Sequence, residues 1–365
     1  MTSSLTDIEK ILTENDRRNE VMYAPFNPIT GEGSIGERVQ VYISDFAIPV
    51  QWLPAEMMAI PFVGKLIKAG SIDKFLSDVM HVEPNDIDHD KVAEKFIRLR
   101  YRHDFPFWAA TLVWIHNKDA GADVLFRLRY PQRILVSRFE EKRKAGLPIR
   151  LILLKARQWG GSTTTQLYMA WLQFFHKRGL NSLIIAHQGT ASDEIKDMFD
   201  TMIKEYPIEL LYDMGETYNE NEPKMVGVGK SGSTSRVPQR NCKIKIGTAE
   251  RPDGCRGGAY SLVHLSEVGI WKKTDGKSPE DIVRSACSGI LLRPLTMIVM
   301  ESTANGTGNF FHTEYSAAAD PDIPSQFEAL FISWFQIEQY SLPFDSGEAP
   351  FVITGTAHTE SCRGN

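Results

Sequence analysis

The sequence predicts an α/β protein with a mostly parallel sheet covered by helices on both faces. Two observations carry this expectation. From residue 147 onward, short apolar runs of strand length alternate with segments of helical period. One of those runs also feeds a turn rich in glycine, serine and threonine from which a helix starts, as in a strand–loop–helix phosphate cradle.

The elements follow in order. Residues 133–145 form a helix of mixed charge. Residues 151–154 follow Pro148 and are sized for a buried strand, which ends in the turn 160–163. A helical pattern then runs through Leu167, Met169, Ala170, Trp171, Leu172, Phe174 and Phe175. Lys177 and Arg178 suit the negative end of its dipole, and Gly179 suits the residue just past the helix. Residues 183–186 read as a second strand and 192–206 as a second helix. Residues 243–246 alternate as a strand with one wet face. Residues 260–265 and 295–300 are two further buried strands, followed by a helix over 309–319 and a strand over 327–334. Upstream, 1–100 reads as an N-terminal extension of unassigned role. Within it, 54–69 is an amphipathic helix interrupted by Pro61. Residues 101–340 make one domain, and 341–365 a tail.

Composition narrows the function classes. With 41 basic against 46 acidic residues the net charge is −5, which excludes a globally basic coat, so any nucleic-acid contact is a local patch. Hydrophobic residues at 42% and charged ones at 24% exclude wholesale disorder. No apolar run approaches the roughly 18 residues of a membrane span, and the charged N-terminus lacks a signal-peptide core. Cys242, Cys255, Cys287 and Cys362 form no CxxC pair, which fits a reducing cytosolic compartment.

The main chemistry lies in Lys155-Ala156-Arg157-Gln158-Trp159-Gly160-Gly161-Ser162-Thr163. A phosphate loop needs a delivering strand, small residues that let backbone N–H groups approach oxygen, a helix N-terminus beneath the anion, and a hydroxyl for Mg2+. Gln158, Gly160, Gly161, Ser162 and Thr163 are the nucleotide-binding candidates, with Ser162 as the metal ligand. In the pattern GxxxxGK[ST] the lysine position holds Gly161, while Lys155 stands at the first glycine. Both ends of such a loop curl toward one phosphate, so Lys155 reaches the β and γ oxygens from the opposite side. A charge-assisted hydrogen bond of about 1.5–3 kcal/mol is thereby relocated, not lost. The alternative is a strand-to-helix turn without a ligand. A second stretch, Gly229-Lys230-Ser231 with Gly227 and Gly232, spells GKS and GxGxxG, but no helical period follows it, and it reads as a loop.

Residues 261–267 form an apolar strand ending in Ser266-Glu267. Walker B strands end in Asp-Glu, where the aspartate holds magnesium and the glutamate polarises the attacking water. Glu267 takes the place of that glutamate. Ser266 replaces the aspartate and is a candidate for a magnesium-bound water. The alternative is a strand end with a solvated glutamate. Arg256, on a glycine-rich loop, is a candidate arginine finger or else a turn arginine paired with a surface carboxylate. Ser302, Thr303 and Asn305 follow the next strand, at the sheet edge where ligands bind in such folds, and are candidates to sense the γ-phosphate, or a simple turn. Gln132 is a candidate for adenine's edge, with Tyr130 or Phe126 stacking nearby. Phe105, Phe107, Trp108 and Trp114 read as core. Seven basic residues within 138–157 are either a DNA-facing patch or, for Arg138, Lys142, Arg143 and Lys144, a solvated helix face.

Taken in order, these pieces resemble the ATPase part of the large terminase subunit, the DNA-packaging motor of tailed bacteriophages. The resemblance rests on Arg157-Gln158-Trp159-Gly160-Gly161-Ser162-Thr163, Arg256-Gly257, His264-Leu265-Ser266-Glu267-Val268, Ser302-Thr303-Ala304-Asn305-Gly306 and Phe331-Ile332-Ser333-Trp334-Phe335, and covers roughly 125–340. Some terminases carry the loop lysine at its start, as Lys155 is placed here, and Arg157 matches the family's loop arginine. Ser302, Thr303 and Asn305 match the segment that couples hydrolysis to DNA movement. The resemblance implies a P-loop NTPase of the ASCE type that uses ATP and Mg2+. It implies a homo-oligomeric ring on the procapsid portal that threads double-stranded DNA with a small terminase subunit, in the cytoplasm of the infected bacterial host. The family also carries a C-terminal RNase H-like nuclease. Residues 341–365 are too few for it, so that domain is expected to be absent or truncated and nuclease activity is not expected from this chain.

Overall fold

The computed structural model describes residues 2–117, 120–229, 232–251, 258–273 and 277–340. Arg256, Lys230, Ser231 and the tail 341–365 lie outside the described residues.

The N-terminal part holds α1 (Thr2–Met22), the antiparallel pair β1 (Arg38–Tyr42) and β2 (Val50–Pro54), α2 (Pro61–Ala69), α3 (Ile72–Lys74) and α4 (Asp86–His103). Pro61 does not interrupt a helix. It occupies the first turn of α2, where its missing N–H has no intrahelical partner to lose, and a separate 3-10 turn, Ala55–Ala59, precedes it. These elements enclose a small core of their own around Ile43, Leu53, Met57, Leu66 and Phe96. Residue 100 lies inside α4. Asp104, fully buried, accepts from Arg38 at 2.8 Å through both guanidinium nitrogens and from Arg100 Nε at 3.3 Å. This tie fastens the β1–β2 pair to the start of the next helix.

That helix is α5 (Phe105–Leu112), followed by the antiparallel pair β3 (Trp114–Asn117) and β4 (Ala122–Leu125). Then come α6 (Tyr130–Lys144), β5 (Ile149–Lys155), α7 (Gly161–Trp171), β6 (Ser182–Ala186), α8 (Gly189–Glu205), β7 (Val226–Gly227), β8 (Thr234–Val237) and β9 (Cys242–Thr248). The chain continues through β10 (Leu262–Leu265), α9 (Pro279–Cys287), β11 (Met297–Ser302), α10 (Phe310–Ala319) and β12 (Glu328–Ile332).

One eight-stranded sheet has the order β12-β5-β11-β10-β6-β9-β8-β7. The pairs from β12 to β9 are parallel, and β8 and β7 extend the sheet antiparallel. The period-2 alternation of its buried strands sorts their side chains onto two faces. Leu151, Leu153, Ile184, Leu262 and Val299 join a core with Phe139 of α6, Leu167 of α7 and Phe199 of α8. Ile152, Leu183, Ile185, Val263 and Ile298 join a second core with Ile282 of α9 and Phe311 of α10. Helices therefore cover both faces, as the uninterrupted apolar runs predict.

Several boundaries move. The strand expected over 295–300 starts at Met297, because Leu295 has a left-handed backbone (φ 61°). The helix expected over 133–145 starts at Tyr130, with Pro131 in its first turn. The strand expected over 327–334 stops at Ile332, and Ser333 caps a 3-10 turn, Trp334–Gln336. The 138–157 basic residues do not form one patch. Lys142 pairs with Glu328 at 2.8 Å, Arg143 bonds Glu140 and Glu56, and Arg150 is buried against the carbonyls of Ile149, Ile290 and Leu291. Phe105, Phe107 and Trp108 are core, with Trp108 Nε1 donating to the Tyr206 hydroxyl at 2.9 Å. Among the described residues no helix is long and apolar enough to cross a membrane.

Candidate nucleotide-binding site

β5 delivers its last residue, Lys155, to the C-terminal edge of the sheet, and α7 leaves from the same edge six residues later at Gly161. Between them the loop turns sharply. Gln158 (φ 59°) and Gly160 (φ 79°) both have left-handed backbones. For a glutamine that conformation is uncommon, and it lets the loop reverse within so few residues. Trp159 is buried, with its indole N–H donating to the Ala156 carbonyl at 3.1 Å and its ring lying under Gly161. A Cβ at Gly161 would come within 2.6 Å of that ring. A side chain at 161, a lysine included, would therefore collide with Trp159.

Lys155 Nζ donates to Glu267 Oε1 at 2.8 Å. The two residues are brought together from strands that are not neighbours, since β11 lies between β5 and β10. Burial works against the Lys155 charge, yet the carboxylates of Glu301 and Glu267 together outweigh it and hold its pKa above the ordinary lysine value. Glu267 itself has a left-handed backbone (φ 56°, ψ 43°) just past β10. Its Oε2 accepts from the backbone N–H of Thr303 at 3.2 Å and from the Thr303 hydroxyl at 3.3 Å. The carboxylate is therefore held from two sides, by a cation and by the segment after β11.

That segment also braces the turn behind Glu267. The Ser302 hydroxyl accepts from Gly269 N at 3.0 Å, and Asn305 Nδ2 donates to the Gly269 carbonyl at 2.8 Å. The three residues singled out as sensors thus all contact residues 267–269.

Lys155, Gln158, Gly160, Gly161, Ser162, Thr163, Ser266 and Glu267 line one cleft of about 620 Å³. Its far walls come from Ile115, His116 and Asp123 of the β3–β4 pair and from α8, including Glu194 and Met198. The volume falls within the range of small-molecule sites.

Other candidates stand elsewhere. Arg157 is exposed and does not line the cleft, and its carbonyl accepts from the Tyr340 hydroxyl. Gln132 is buried behind the loop, not in the cleft. Its Oε1 accepts from Arg129 N at 2.8 Å at the start of α6, and its Nε2 donates to the Trp159 carbonyl at 3.0 Å. With both ends of its amide engaged, Gln132 braces the loop in this structure, and an adenine edge would have to displace those bonds. Phe126 is buried, and Tyr130 has the Arg133 guanidinium over its ring at 5.3 Å. Gly229 lies between the antiparallel strands β7 and β8, at the far side of the sheet from β5, and the next described element is a strand and not a helix.

One residue at the site was not anticipated. Glu301, near the end of β11, is fully buried. Its Oε1 accepts from the hydroxyls of both Ser162 and Ser266, the latter at 3.1 Å, and lies 3.2 Å from His264 Nε2. Burial alone would raise its pKa, but the positive charge of Lys155, with His264 and the Ser162 hydroxyl, lowers it to about 2. The signal in the sequence was a carboxylate placed directly after an apolar run, at the strand end where ligands bind in open α/β sheets.

No protein-family model and no curated protein sequence matches the chain. Solved structures similar to it include the large terminase ATPase domain of Thermus phage P74-26. An arginine mutant of that domain aligns at 16% identity over 52% of this chain and 77% of the other, with a TM-score of 0.35. The unmutated domain aligns at 17% identity over 50% and 75%, with a TM-score of 0.34. The large terminase of bacteriophage HK97 aligns at 12% identity over 61% of this chain and 42% of that one, with a TM-score of 0.44.

Proposed function

We propose that this chain is an ATP-hydrolysing motor of the ASCE P-loop type that moves double-stranded DNA during viral genome packaging. The observation that carries the proposal is the 2.8 Å contact between Lys155 and Glu267 at the mouth of the glycine-rich turn that opens α7. A cation for the β and γ phosphates and a carboxylate for the attacking water have to converge on one triphosphate, and this contact is what supports reading the two as such a pair. The position of β11 between β5 and β10 supports this reading, since the ASCE type carries an additional strand there, with Glu267 as the catalytic glutamate.

In this reading the loop N–H groups and the N-terminus of α7 hold the phosphates. Ser162 offers its hydroxyl to Mg2+. Among the residues present, that hydroxyl, donating its hydrogen to the buried Glu301 carboxylate, is suited to hold the ion, which would supply charge neutralisation on the phosphates. Glu267 accepts the proton of the nucleophilic water. Thr303, bonded to Glu267, and Ser302 and Asn305, bonded to Gly269, connect that event to the segment after β11. Arg157, which stands outside the cleft in this structure, would have to turn inward to act on phosphate charge, and Arg256 acts on it across a neighbouring subunit of a ring seated on a portal. Linear duplex DNA and a small terminase subunit are the partners, and the infected host's cytoplasm is the compartment.

The test is phosphate release by the whole chain with ATP and Mg2+, with and without linear duplex DNA, beside a strand-separation assay. Turnover without strand separation is the expected result. Measurable ATP binding with no phosphate release, even with DNA, would contradict a motor, and unwinding would indicate a helicase.

A further inference from the structure

We infer that Glu301 holds the Ser162 hydroxyl for a nucleotide-bound divalent cation, supplying from β11 the negative charge that Ser266 lacks at the end of β10. The inference deepens the nucleotide reading above and rests on it.

The register of the sheet puts the two residues side by side. Met300 of β11 pairs with Leu265 of β10, so Glu301 and Ser266 are the next residues along each strand. Ser266 turns its hydroxyl onto Glu301 Oε1 at 3.1 Å, and Ser162 donates its own to the same oxygen. A hydroxyl that gives up its hydrogen in this way keeps its oxygen lone pairs free for a cation. A carboxylate beneath the loop serine is one way to hold that serine in its metal-binding rotamer.

A purely structural role accounts poorly for Glu301. Burying a carboxylate costs several kcal/mol unless its oxygens are satisfied. Here the donors crowd onto Oε1, while Oε2 is buried and has no hydrogen-bond partner among the described residues. Buried polar atoms left in that state are rare, and they mark sites of strain, chemistry or a missing water or ion. A metal-bound water is a donor of the right kind for that oxygen. The identity of residue 266 follows from the same picture. An aspartate there would put two carboxylates at about hydrogen-bond distance, where like charges cannot both ionise cheaply. The serine and the glutamate are thus one exchange: the charge has moved one strand over.

Glu301 acts through Ser162 and is a positioning residue, so its test reads metal binding and not turnover. Mn2+ replaces Mg2+ as the spectroscopic probe, and its binding to the ADP-loaded whole chain is titrated by electron paramagnetic resonance. Glu301→Gln is expected to weaken Mn2+ by about 10- to 100-fold, the usual effect of removing a partner of a metal ligand. Metal-free ADP should bind it at least as tightly as the wild type, because one negative charge near the phosphates is gone. Glu301→Gln with Ser266→Asp returns the charge to β10 and is expected to restore most of the lost Mn2+ affinity, a rescue that a packing role would not give. Wild-type Mn2+ affinity in folded Glu301→Gln would overturn the inference alone. If Glu301→Gln does not fold, the double variant, whose net charge is unchanged, decides: near wild-type Mn2+ affinity supports the inference, and loss of Mn2+ binding overturns it. A wild-type chain that binds no ADP would overturn the nucleotide reading itself.

Discussion

Glu267→Gln should lower ATP turnover at least about 100-fold while leaving ATP bound, the magnitude expected when a general base is removed from a hydrolytic site. Glutamine keeps the size of the side chain and can still accept from Thr303, so the position of residue 267 is retained. Its neutral amide cannot take a proton from water, and it offers Lys155 a weaker partner than the carboxylate 2.8 Å away. Nucleotide affinity should hold or rise, since a negative charge near the phosphates disappears. Phosphate release and fluorescent-ATP binding, measured on the same preparation, check both halves. Unchanged turnover would remove Glu267 from its role.

Lys155→Ala should have two effects of different origin. Nucleotide affinity should fall by about 10- to 100-fold, the loss of one charge-assisted hydrogen bond to phosphate. Stability should fall as well. Lys155 is the cation facing Glu267 and the fully buried Glu301, and removing one partner of a buried charge pair costs about 3–5 kcal/mol. Glu267 keeps some contact with solvent, so the orphaned Glu301 dominates this cost. The two effects separate in a second variant. Lys155→Met with Glu301→Gln removes both buried charges and should regain much of the melting temperature while nucleotide binding stays weak. Calorimetric melting and nucleotide titration of wild type, single and double variants check this. A Lys230→Ala variant that loses nucleotide while Lys155→Ala keeps it would place the site at the wrong loop.

How much of this was legible in the sequence follows from what each part depends on. The strands of the sheet were legible because both of their faces are buried, leaving unbroken apolar runs such as 151–154 and 297–300. The meeting of Lys155 with Glu267, 112 residues away, was legible only through motif logic, since nothing local links them. Gln132 shows local bonds that motif logic does not reach. Three residues past Arg129, its amide accepts from the Arg129 backbone N–H and donates to the Trp159 carbonyl, and neither bond depends on a ligand. Glu301 is hard to find in the sequence because a lone glutamate closing an apolar run belongs to no motif. Its burial comes from the strand order, which sets β11 between the loop strand and the Glu267 strand. The N-terminal 100 residues were opaque for a similar reason. Their short elements close on a small shared core and on ties between residues far apart in sequence, such as Arg38 to Asp104, which leave no periodic trace.

The most direct test of the central claim is a crystal structure of the whole chain with Mg2+ and a non-hydrolysable ATP analogue. The expected result is a triphosphate in the cleft between the 155–163 loop and α8, with Lys155 Nζ moved from Glu267 to a β or γ oxygen and the Glu267 carboxylate facing the terminal phosphate. A triphosphate bound elsewhere, with the Lys155–Glu267 pair intact and the cleft empty, would contradict the account.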